Sequence, residues 1–164
     1  MRTFAALAFL SSLTAAPAVA QQAHSVFRWQ QGEWEVHESA YGDCWYVRNA
    51  PDGTRLMVGV SGSSDNFLID VYNPRWSSLV EGSEHTARIN FGLYPHDGHA
   101  IVILPSEVVI SAPDATHLIQ GFTSTPSMGV GLPGVPGYGT PLSQAAMRQF
   151  TACITVIGGI NHPH

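Results

Sequence analysis

Cys44 and Cys153 are the only two cysteines in this 164-residue chain, and they stand 109 residues apart. Thiols so distant do not form a redox Cys-x-x-Cys site, and a chain that leaves the cytosol is free to join them. Two cysteines allow a single intramolecular pairing. A Cys44–Cys153 bridge closes most of the chain into one loop, which is worth roughly 4–5 kcal/mol in the chain-entropy picture. The first cysteine lies in Cys44-Trp45-Tyr46-Val47, soon after Gly32-Glu33-Trp34-Glu35-Val36-His37, and the second follows a short helical run from Ser143 to Ala152. The other elements must be strung between these two points.

The start of the chain supports export. Residues 1–20 read as a signal peptide: Arg2, an apolar run from Phe4 to Leu13, and an Ala18-Val19-Ala20 cleavage site. The apolar run falls short of the roughly 20 residues a membrane span requires, and no later segment is longer, so no span is expected. Removing these 20 of 164 residues leaves a mature chain of 144 that starts at Gln21. That length predicts one domain with its own core, placed in the periplasm or secreted. All seven basic residues are arginine; without Arg2, six stand against twelve carboxylates, a net charge of −6. Arg28, Arg48, Arg55, Arg75, Arg88 and Arg148 are scattered singly. The absence of a basic patch argues against nucleic acid and against an anionic membrane surface.

The apolar pattern is mostly of period two, the sign of half-buried strands. After a polar lead-in over 21–31, strands are predicted from Trp34 through Val36, from Cys44 through Tyr46, over Arg55–Ser61 and over Asn66–Tyr72. Ala50-Pro51-Asp52-Gly53-Thr54 is a turn, and Asn73-Pro74-Arg75-Trp76-Ser77-Ser78-Leu79 is a crossing loop or one helical turn. Further strands are expected over Thr86–Leu93 and His99–Leu104, with Asp97-Gly98 as the hairpin turn between them. Weaker strands are expected over Val108–Ser111 and Thr116–Phe122. Six glycines and three prolines in residues 121–139 predict a loop without regular structure. Leu142, Ala146, Phe150 and Cys153 then recur at helical spacing behind Ser143, a good N-cap. Residues 154–164 form a tail. The expected fold is mainly β: an antiparallel β-sandwich or curled sheet with one short C-terminal helix, in a single domain over 32–153.

These motifs in this order, from Gly32-x-Trp34 and Cys44 through Asp52-Gly53-Thr54 and Asn73-Pro74-x-Trp76-Ser77-Ser78-Leu79 to Ser143-x-x-Ala146-x-x-x-Phe150-x-x-Cys153, resemble a group of small exported bacterial proteins of unknown function. The resemblance implies a periplasmic, β-rich domain with a single disulfide and brings no catalytic residues with it.

Two stretches carry possible chemistry. If Asp97-Gly98 is a hairpin turn, His96 and His99 face each other across it with Cβ atoms about 5 Å apart, and with Asp97 they would offer Zn²⁺ or Cu²⁺ a site. His162 and His164 form a terminal His-x-His pair. The 121–139 loop, with Met128, Leu132 and Tyr138 among its apolar residues, and Trp76 beside a proline, are candidate contacts for a protein or cell-envelope partner. Trp34 and Trp45 are expected in the core. Neither a Gly-x-Ser-x-Gly elbow nor a phosphate-binding glycine loop is present. The sequence therefore points first to a non-catalytic exported binding domain, and second to a metal-binding protein or metal-dependent enzyme centred on His96, Asp97 and His99.

Overall fold

A computed structural model describes residues 28–39, 41–61, 66–92 and 94–161. Ten antiparallel strands form one sheet, curled into a half-barrel. They are β1 (Arg28–Gln31), β2 (Trp34–Glu38), β3 (Asp43–Asn49), β4 (Arg55–Ser61), β5 (Asn66–Tyr72), β6 (Glu84–Phe91), β7 (Tyr94–Leu104), β8 (Glu107–Pro113), β9 (Ser127–Gly131) and β10 (Tyr138–Pro141). Among the described residues there are also two helices, α1 (Ala115–Ser124) and α2 (Gln144–Asn161). Spatially the order is β1-β2-β3-β4-β5-β8-β7-β6-β9-β10. The first five strands are a meander, β6 to β8 fold back as a second meander whose last strand joins β5, and β9-β10 extends the far edge.

Alternation decides which face is inside. In β5, Phe67, Ile69 and Val71 are buried between less buried neighbours. Their cross-strand partners Val60, Val58 and Leu56 in β4, and Ala112, Ile110 and Val108 in β8, are buried with them. These rows line the concave face. Both helices pack there, α2 over β1 to β3 and α1 against β5. At the centre, Phe122 of α1 makes edge contacts with Tyr46, Phe67, Phe91 and Phe150 at centroid distances of 5.2, 5.9, 5.9 and 5.8 Å.

The Cys44–Cys153 disulfide is formed, with Cα atoms 6.0 Å apart. Cys44 points inward from β3, and Cys153 shares the buried face of α2 with Ala146, Met147 and Phe150. The bridge fastens the last helix to the third strand.

Several elements differ from the sequence expectation, each for a physical reason. Residues 116–122 belong to helix α1. Its buried residues Ala115, Leu118 and Phe122 recur at helical spacing, and Asp114 caps it in a left-handed conformation, φ 66°, which Asp tolerates better than most residues. The 121–139 stretch is mostly ordered into the end of α1, β9 and β10. Gly129 and Gly131 sit in a strand paired on both sides, where the backbone ladder needs no side chain. Pro141 ends β10, an edge strand that can spare an N–H. Residues 28–31 of the lead-in are strand β1, and α2 runs well beyond Ala152 into the tail.

Asp97-Gly98 is no turn: β7 passes straight through it, and the chain reverses after Phe91, where Gly92 has φ 61°. Gly98 is instead a packing residue. A Cβ there would lie 2.7 Å from Ile110 Cγ2 and 3.1 Å from Ile89 Cδ1. Trp34 packs partly buried against the core, whereas Trp45 lies on the outer face over Gly59.

Candidate functional site: a cleft at one end of the half-barrel

At the end of the sheet where β3 and β5 finish and β10 begins, three backbone segments enclose a cleft of about 350 Å³. The first wall is the β3–β4 turn. Gly53 donates to the Ala50 carbonyl and Ala50 to that of Thr54, and Gly53 takes the positive φ, 83°, that closes the turn. Asp52 Oδ1 accepts the Thr54 N–H at 3.1 Å. The second wall follows β5. Asn73 is buried; its side-chain oxygen accepts the Arg75 N–H at 3.0 Å and its carbonyl accepts the Trp76 N–H at 2.9 Å. This is the local turn that Asn before Pro favours. The third wall is 136–139, entering β10.

Trp76 joins the second wall to the third. Its indole is wholly buried, its Nε1–H donates to the Pro136 carbonyl at 2.8 Å, and its ring meets Tyr138 edge-on at 6.4 Å. That bond fixes the Pro136 end of the third wall to the second, beside the packing of Leu132 and Val135 on the core.

The charges in the cleft differ in their commitments. Arg48 is engaged: Nε lies 3.2 Å and Nη2 3.3 Å from the Glu33 carboxylate, Nη1 donates to Thr140 Oγ1, and the guanidinium sits 5.2 Å over the Trp34 ring. These contacts draw β3 and β10 together across the concave face. Arg75 is exposed and makes no ion pair among the described residues. Asp52 is also exposed. The Thr54 N–H, then the Thr54 hydroxyl, hold its carboxyl below the usual carboxylate range, with smaller help from Arg75 and Arg48. Asp52 and Arg75 thus line one cleft from different turns, with no ion pair between them. The Tyr138 hydroxyl is buried beside Arg48 and Thr140 with no aligned hydrogen-bond partner, and burial raises its pKa. The lining is rich in donors and carries both signs of charge, which suits a small polar ligand.

The residues singled out from sequence are distributed as follows. Trp76, Met128, Leu132 and Tyr138 are all buried, so none is the free surface contact expected of it. Tyr138 lines the cleft and Trp76 pins one of its walls, while Met128 and Leu132 belong to the core. His96, Asp97 and His99 do not converge. His96 pairs with Ile89 and touches Phe91 at 5.8 Å on the concave side. Asp97 and His99 face outward, Asp97 3.7 Å from Arg88 and His99 3.1 Å from Glu84. Residues three apart in a continuous strand point to opposite faces, so the facing pair proposed for Zn²⁺ or Cu²⁺ is not formed. Among the described residues no group of three or more His, Cys, Asp and Glu is placed to hold a metal. His162, His164 and residues 1–20 lie outside the described residues.

Sequence reasoning recognised both turns but did not mark Asp52, Asn73 or Arg75 as site residues. The available signal was the pairing of two Pro-containing turns that each carry a charged residue. Compared with known proteins, the chain matches no family, no curated protein and no solved structure.

Proposed function

We propose that this is an exported, non-catalytic domain that binds a protein or cell-envelope component, and that it does so through the cleft between the 50–54 turn, the 73–76 turn and residues 136–139. The observation that carries this reading is Arg75, which makes no ion pair among the described residues and, with Asp52, lines a cavity of ligand size. A guanidinium at a cleft with no ion pair inside the fold is available to a partner outside it. Placement in the periplasm or outside the cell is part of the same proposal. It is supported by the disulfide, which persists in oxidising compartments, and by the signal-peptide pattern of residues 1–20. Among the described residues no helix is long and apolar enough to cross a membrane.

The test is affinity capture from an envelope extract on immobilised mature protein, run beside Arg75→Glu. The reading expects a component retained by the wild type and lost with the variant, whose thermal stability stays unchanged because Arg75 is exposed. Equal retention by both proteins places binding elsewhere and defeats the reading.

A further inference from the structure

Resting on the binding reading above, we infer that the cleft takes a zwitterionic ligand of the amino-acid or short-peptide class, its carboxylate on Arg75 and its ammonium on Asp52. Arg75 and Asp52 line the same cavity from separate turns, and Arg75 helps hold the Asp52 carboxyl down without the two closing into an ion pair. A guanidinium offers a planar fork that matches a carboxylate. Asn73 lies beside Arg75 with its side-chain oxygen already accepting the Arg75 N–H, which leaves the amide group to donate to the same carboxylate.

On the 50–54 wall Asp52 Oδ1 accepts the Thr54 N–H, which orients its carboxylate, and the Thr54 hydroxyl helps hold that carboxyl below the usual carboxylate range. Carboxylates are acceptors only, so this wall selects a cation or a donor and repels a second anionic group. A purely anionic ligand such as a phosphate would satisfy one wall and oppose the other. A cavity of about 350 Å³ is of the size that holds a small molecule, and on the third wall Gly137 and Gly139, on either side of Tyr138, present backbone alone.

The experiment is an NMR titration of the ¹⁵N-labelled mature protein with four probes. These are L-alanyl-L-alanine, its N-acetylated form (anion only), its C-terminal amide (cation only), and glucuronate. The inference expects saturable shifts at the Asp52, Thr54, Arg75 and Gly139 amides with the zwitterion. The two capped dipeptides should bind about tenfold more weakly or worse, as loss of a charge-assisted hydrogen bond implies. Arg75→Ala and Asp52→Asn should each weaken the zwitterion by a similar factor. Asn at position 52 still accepts the Thr54 N–H, so the turn survives. If glucuronate or a capped dipeptide shifts the same amides as strongly, the zwitterion inference fails while the cleft stands as a binding site. If none of the four shifts these amides, the zwitterion inference fails, and envelope capture with Arg75→Glu decides separately whether the cleft reading stands.

Discussion

Asp70 is the side chain least at ease in its setting. It sits on the outer face of β5 and shares one guanidinium with a second carboxylate: Arg55 Nη2 lies 2.6 Å from Glu107 and 3.7 Å from Asp70. Its other oxygen is buried without a partner. Burial, then the neighbouring Glu107 charge, outweigh the pull of Arg55 and raise the Asp70 pKa from 3.8 to about 6. A raised folded-state pKa means that the folded protein binds the proton more tightly than the unfolded chain does. The associated stability is complete below pH 3.8 and is lost as pH rises through about 6. Asp70→Asn should therefore stabilise the protein at pH 8 by about 2 kcal/mol, with the gain vanishing by pH 4. Urea melts at the two pH values check this, and an equal effect at both would refute it. None of this was legible in sequence, because Asp70, Arg55 and Glu107 meet only through the pairing of β4, β5 and β8. Trp76 teaches the same lesson: its loop position suggested exposure, but its burial depends on Pro136, 60 residues on.

At the scale of elements, the strands with clean alternation were readable from the chain, and β4 and β5 fall on their expected bounds. The errors came where a residue had two possible reasons to be present. Asp97-Gly98 has the composition of a hairpin turn, yet Gly98 is there because Ile110 and Ile89 leave no room for a Cβ. Residues 116–122 read as a weak strand after Pro113-Asp114, but the spacing of Ala115, Leu118 and Phe122 against the core decides for a helix. The start of α2 was foreseen through Ser143, whose Oγ accepts the Ala146 N–H at 3.2 Å. Its second support was not: the Ser143 N–H donates to the buried Tyr46 hydroxyl at 2.8 Å. Tyr46→Phe should thus cost about 1–3 kcal/mol by leaving that N–H unpaired, with the β-sheet circular dichroism unchanged. A denaturant midpoint equal to the wild type would show that the bond contributes nothing.

For the whole molecule, the disulfide and the cleft are two consequences of one curled sheet. Curling brings the concave face of β3 under α2, where Cys44 meets Cys153, and brings β10 back toward β3, where Arg48 reaches Thr140. Cys153→Ser with Cys44→Ser should lower stability by roughly 2–5 kcal/mol while the fold is retained. Calorimetry of the oxidised and double-variant proteins checks it, and unchanged melting would mean the bridge constrains nothing. That β-rich, disulfide-closed architecture was legible in the sequence. The cleft was not, since its walls come from residues near 52, 75 and 137 that local pattern cannot relate. Trp76 ties its second wall to its third at Pro136, and the indole proton reports on that bond directly. The decisive measurement is the hydrogen-exchange rate of the Trp76 Nε1–H by NMR, with its signal assigned by its loss in Trp76→Phe. The account predicts strong protection, with exchange only through larger openings of the fold. Exchange at the rate of a free indole would mean that Trp76 does not hold Pro136 and that the second and third walls do not meet as described, which contradicts the cleft.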